Sequence, residues 1–147
     1  MLSSLLFEAT LETLWMVFAA TILATLVGLP VGVMLYITRR GNIFENPMLQ
    51  QVLAVTVNVT RSIPFIILMI AIIPFTRLVV GTSIGTMAAI VPLSLAAIPF
   101  IARIVENALL EVNAGLIEAA IAMGATNFQI ICKILLPESL SPTIHFR

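Results

Sequence analysis

Three stretches of apolar sequence, separated by short polar breaks, dominate the chain. Thr13 to Thr38 carries no charge, and neither does Leu78 to Ala102. Between them, Asn46 to Thr76 is interrupted only by Arg61. Each exceeds the roughly 20 apolar residues that a helix needs to cross the hydrocarbon core of a bilayer. Gly41-Asn42 and Gly81-Thr82-Ser83 supply turn chemistry at the breaks. The pattern predicts three helices, over about 13–38, 47–76 and 83–107.

Polar and small residues inside these segments mark their faces. Ala20, Ala24, Gly28 and Gly32 recur every four residues, which makes a small-residue stripe for helix packing. Pro30 lies between the glycines and is expected to bend the helix. In the third segment Ala89, Pro92, Ala96, Pro99 and Arg103 share a face. The two prolines free backbone carbonyls, which points either to structural kinks or to the lining of a polar pathway. Arg61 would cost about 2.5–3.5 kcal/mol at a bilayer centre on insertion scales. It therefore snorkels, pairs internally, or stands beside a polar substrate. Pro64 follows closely, which is compatible with a break.

After the third segment the pattern changes to helix, turn, helix. Asn113 can cap a first helix containing Glu118, Ala119 and Ala120. Gly124 falls where a helix ends in the left-handed conformation. Thr126 and Gln129 have the spacing of a capping box for a second helix, which Pro137 is expected to stop. The spacing predicts a short hairpin over 113–137 with an exposed alanine surface around Glu118, Ala119 and Ala120. Local physics leaves open whether a partner sits on it.

Composition narrows the classes. Of the 147 residues, 61% are hydrophobic and 10% charged, with a mean hydropathy of +1.17. Soluble domains carry about 25% charged residues, so lipid must cover this surface. The net charge is zero, which argues against nucleic acid as a partner. Cys132 is the single cysteine, so no intrachain disulfide framework exists. The residues before Thr13 include Glu8 and Glu12 but no Lys or Arg. That is the wrong charge for a signal-peptide leader. With Arg39-Arg40 directly after the first segment, the positive-inside rule places the N-terminus outside and the 39–46 loop and the hairpin in the cytoplasm. Arg77 mildly opposes this. The Asn58-Val59-Thr60 sequon lies within a predicted helix and is discarded. His145 lacks nearby companions and is not expected to be a metal ligand. The only lysine, Lys133, follows Cys132, so no Walker A loop exists here. No Asp is present, and the glutamates form no ladder for a proton relay. No catalytic residue is assigned.

Glu118-Ala119-Ala120, then Gly124, then Ile134-x-Leu136-Pro137 resembles the signature of permease subunits of bacterial binding-protein-dependent ABC importers. Further segments look like the methionine-importing branch of that family: Gly28-Leu29-Pro30-Val31-Gly32, Arg61-Ser62-Ile63-Pro64-Phe65, Val80-Gly81-Thr82-Ser83-Ile84-Gly85 and Pro99-Phe100-Ile101-Ala102-Arg103. The resemblance covers nearly all of residues 1–147. It implies an all-α membrane protein, a multi-span helical bundle of the type I importer class with about three transmembrane helices here. The hairpin would be the coupling helix that docks on the ATPase subunit, through Glu118, Ala119, Ala120, Gly124, Ile134, Leu136 and Pro137. Arg61, Pro92, Pro99 and Arg103 would be pathway or structural residues. The resemblance further implies a bacterial inner-membrane location and no cofactor on this chain, with ATP and Mg on the ATPase subunit. Its partners would be that subunit, a second permease copy, an extracytoplasmic methionine-binding protein and membrane lipid. Members of the family continue with two more spans, which Ser141 to Arg147 does not begin. A fragment, a truncated product or a frameshift is therefore expected. The alternatives are a non-transporting protein that only docks the ATPase, and a permease for another small amino acid.

Overall fold

No glycine or proline interrupts the sequence from Leu2 to Val27. In the computed structural model, which describes residues 1–140, helix α1 (Leu2–Ile37) accordingly begins at Leu2 rather than near Thr13. Ser141 to Arg147, and with them His145, lie outside the described residues. Leucine, alanine and glutamate are strong helix formers, so the acidic leader extends the helix. Threonine hydroxyls that would otherwise be stranded in an apolar setting donate back to the chain, Thr21 to the Val17 carbonyl and Thr25 to the Thr21 carbonyl, both at 2.7 Å. Helix α1 runs through Pro30. Its last carbonyls are satisfied by the following loop: Phe44 N–H donates to Ile37 and Asn42 Nδ2 to Tyr36.

The second apolar segment is not one helix, contrary to the expectation for 47–76. It divides into α2 (Pro47–Ser62), α3 (Phe65–Ala71) and α4 (Ile73–Val80). Asn46 caps α2, its side chain accepting from Leu49 N–H. The axes of α2 and α3 meet at a 106° bend. Pro64 is the cause, because its ring excludes the helical conformation from Ile63, which is extended at φ −78, ψ 126. Pro74 stands in the first turn of α4, where its missing N–H needs no partner, and Gly81, at φ 87, closes the helix. Helix α5 (Thr86–Leu110) replaces the expected 83–107, displaced because Gly85, at φ 111, precedes its first turn.

By length and composition α1 and α5 can each cross a membrane, and α2 with α3 forms a broken third candidate. The main contact is between α1 and α5, with α2 against both. Leu35, Val57 and Ala102 meet where the three helices come together. The chain then turns into α6 (Ala114–Ala122), α7 (Asn127–Ile130), a π-helical turn over Ile131–Leu135, and α8 (Leu136–Leu140). Pro137 does not stop the second arm; the helix continues through it. The π turn opens the backbone ahead of the ring, and a proline in the first turn of α8 removes no hydrogen bond that the turn requires.

Candidate functional site

Close approach of α1 and α5 starts with the small residues of α1. Ala20, Ala24, Gly28 and Gly32 are all buried. A methyl group on Gly28 would sit 3.0 Å from the Ile98 carbonyl and Ile101. On Gly32 it would come within 2.6 Å of the Ala102 carbonyl and 2.7 Å of Val105. The backbones therefore touch at Gly32, where no other residue fits unmoved.

This approach brings a charged cluster together at one end of the pair. Glu106 on α5 is 1% exposed and binds two arginines. Arg39, in the loop after α1, donates Nη1 to Oε1 at 2.9 Å. Arg103, one turn before Glu106, donates to Oε2. The second terminal nitrogen of Arg103 reaches Asn58 Oδ1 on α2 at 2.6 Å. One buried carboxylate thus ties α1, α2 and α5 together through side chains that satisfy its charge. Pro92 and Pro99 are buried in α5. Near them the Ser94 hydroxyl donates to the Ile90 carbonyl at 2.6 Å.

The hairpin is seated on the same end. Ile117 and Ala120 of α6, Ile130 of α7 and Leu135 of the π turn form one buried cluster with Val33, Tyr36 and Ile37 of α1 and with Leu109 and Val112. Ile134 and Leu136 pack partly against it. Ala120 is 1% exposed, which corrects the expected alanine surface. A helix turns by about 100° per residue, so when Ala120 faces the core its neighbours cannot all be outward with it. Glu118 and Ala119 are exposed, as is Pro137. Around them Leu116, Ile121, Met123 and Phe128 present apolar side chains to the outside. Asn113 caps α6 by accepting from Gly115 N–H at 2.8 Å, and both bonds of the Thr126–Gln129 capping box are formed. Gly124 turns between the arms at φ 82, with open space where a side chain would go.

Arg61 stands apart from this end. It lies in the last turn of α2, is exposed, and forms no ion pair among the described residues. It lines a recess of about 480 Å³ with Thr60, Phe65, Leu68, Leu93, Ala96, Ala97 and Phe100. Among the described residues no group of acidic, histidine or cysteine side chains could hold a metal ion.

The family model for the binding-protein-dependent transport system inner membrane component matches residues 28–146. The chain belongs to this family. It is 62% identical over 136 residues to the D-methionine transport system permease protein MetI of Salmonella typhi, covering 92% of this chain and 63% of that one. To the probable D-methionine transport system permease protein MetI of Pasteurella multocida it is 59% identical over 132 residues, 90% of this chain and 61% of the other. A chain of the MetNI methionine ABC transporter, in an inward-facing crystal form, superposes with a TM-score of 0.93 at 57% identity, over 95% of this chain and 64% of that chain. The chain thus spans a little over three-fifths of the length of these relatives. For an inner-membrane transport component, the buried Glu106 is the residue that reading by hydrophobic segments passes over, because it sits just past the apolar run. The signal was available: Arg103 and Glu106 have the i, i+3 spacing of a helical ion pair, and Arg39 falls at the end of the facing helix.

Proposed function

We propose that this chain is the membrane-spanning permease subunit of an ATP-driven, binding-protein-dependent importer for methionine. The observation that carries the proposal is the seating of the hairpin. Its buried side shares one apolar cluster with the ends of α1 and α5, while Glu118, Ala119, Met123 and Phe128 face outward. Force applied to that outer side by an ATPase subunit would pass into the membrane helices without a soft joint, since close-packed interiors transmit strain. The names carried by the relatives support methionine, in its D form at least, as the substrate. The N-terminus lies outside and the hairpin in the cytoplasm, on the charge pattern of Arg39-Arg40 against Glu8 and Glu12. ATP and Mg are bound by the ATPase subunit. A second permease copy and an extracytoplasmic binding protein complete the assembly.

The test is reconstitution of the full-length permease with its ATPase in vesicles, followed by uptake of labelled D- and L-methionine with and without binding protein. ATP-dependent uptake that requires the binding protein is expected. Tight ATPase association with no uptake of either enantiomer would overturn the transport assignment and leave a docking protein.

A further inference from the structure

Arg61 is placed awkwardly for a residue of purely structural use. Its recess is lined by Leu93, Ala96, Ala97 and Phe100, which occupy the middle of α5. A guanidinium at the mid-depth of a spanning helix does not face lipid chains; it faces water or another polar group. Among the described residues it has no such partner. Apart from Thr60 the walls beside it are apolar, with Phe65, Leu68, Leu93 and Phe100 around a volume of about 480 Å³. A cation at one edge of an apolar recess is the complement of a small carboxylate with an apolar tail. Asn58 precedes Arg61 by one helical turn, and its bond to Arg103 joins α2 to α5 beside the recess, on the side towards the hairpin.

We propose that this recess is a stopping point on the translocation pathway that holds the α-carboxylate of an apolar amino acid. Arg61 binds the carboxylate, and the ring of Phe65 or Phe100 contacts the side chain. This rests on the transport function proposed above and adds where, and by which group, the substrate is held.

The experiment uses the full-length chain, freed of its native cysteines and assembled with the ATPase in lipid nanodiscs. A cysteine replaces Ala97 in the recess and is modified with a maleimide. L-Methionine should slow the modification, and methioninamide, which lacks the carboxylate, should not. Arg61→Gln should raise the half-protecting methionine concentration about ten- to a hundred-fold, the range expected for losing a hydrogen bond to a charged group. Arg61→Lys should recover part of the loss. Equal protection by methionine and methioninamide, or protection unchanged in Arg61→Gln, would overturn the proposal. If the glutamine variant does not assemble, the comparison of the two ligands on Arg61 still decides. Uptake by the same assemblies is measured in parallel. Uptake without carboxylate-selective protection removes the recess alone, whereas absence of uptake removes the transport function.

Discussion

Gly32 is where one missing methyl group matters most. A Cβ there would meet the Ala102 carbonyl at 2.6 Å, and a backbone carbonyl cannot swing aside as a side chain does. Gly32→Ala should therefore lower the thermal stability of the purified full-length chain by about 1–3 kcal/mol, the usual cost of overpacking. Val27→Leu, at a position that is 49% exposed, should leave the melting temperature unchanged. Equal melting temperatures for both variants would show that α1 and α5 do not depend on this contact. Glu106 is the second decisive residue. Its removal leaves Arg103 and Arg39 without their shared carboxylate; breaking a fully buried pair costs about 3–5 kcal/mol, and the partial exposure of both arginines, 22% and 42%, lowers that cost. Glu106→Ala should accordingly lower the melting temperature and the folded yield. Arg39→Gln should be milder, because the Arg39 side chain is 42% exposed and water screens it. A Glu106→Ala protein that melts with the wild type would mean that the cluster is not a stabilising tie.

Single elements were legible to different degrees, and the differences have local causes. Caps and turns depend on nearby residues, so Asn113, the Thr126–Gln129 box and the left-handed Gly124 follow from spacing alone, and Gly81 falls in the turn that its segment announces. The division of 47–76 into three helices depends on Pro64 and Pro74. Both are visible in the sequence, but a hydropathy window averages across them. The burial of Ala120 and the π turn before Pro137 depend on what the hairpin packs against, which no local pattern carries. The hairpin nonetheless has one clean test. Gly124 sits at φ 82 with nothing within 4 Å of a would-be Cβ, so a side chain there meets strain in the backbone and no clash. The cost is on the order of 1 kcal/mol, too little to unfold the chain. Gly124→Asp should insert and purify normally. It should also shift the outer surface around Glu118 and Ala119, so that ATPase binding, or the coupling of hydrolysis to uptake, is lost. Wild-type binding and uptake in that variant would remove the hairpin from the coupling path.

At the scale of the molecule, α1 and α5 meet in polar contacts at both ends, a long one at the surface and a short, buried one. At one end Thr86 Oγ1 donates to Glu12 Oε2 at 3.5 Å; at the other stands the Glu106 cluster. With 36 residues, α1 is about 54 Å long, well beyond a hydrocarbon core of about 30 Å. Its leading turns carry Glu8 and Glu12 and are exposed from Met1 to Thr13, so they are the part expected to extend past the membrane on the side opposite the hairpin. The two ends can be told apart by labelling. Single cysteines at Ser3 in α1 and at Met123, which is 84% exposed on the hairpin, report opposite sides. Cys132 is also exposed and must first be replaced by serine. An impermeant maleimide added to intact spheroplasts should modify Ser3→Cys and spare Met123→Cys, and lysis should make both reactive. The reverse pattern would place the hairpin outside, where no ATPase could reach it. Labelling of both from outside would mean that α1 and α5 do not carry the chain across the bilayer as a pair.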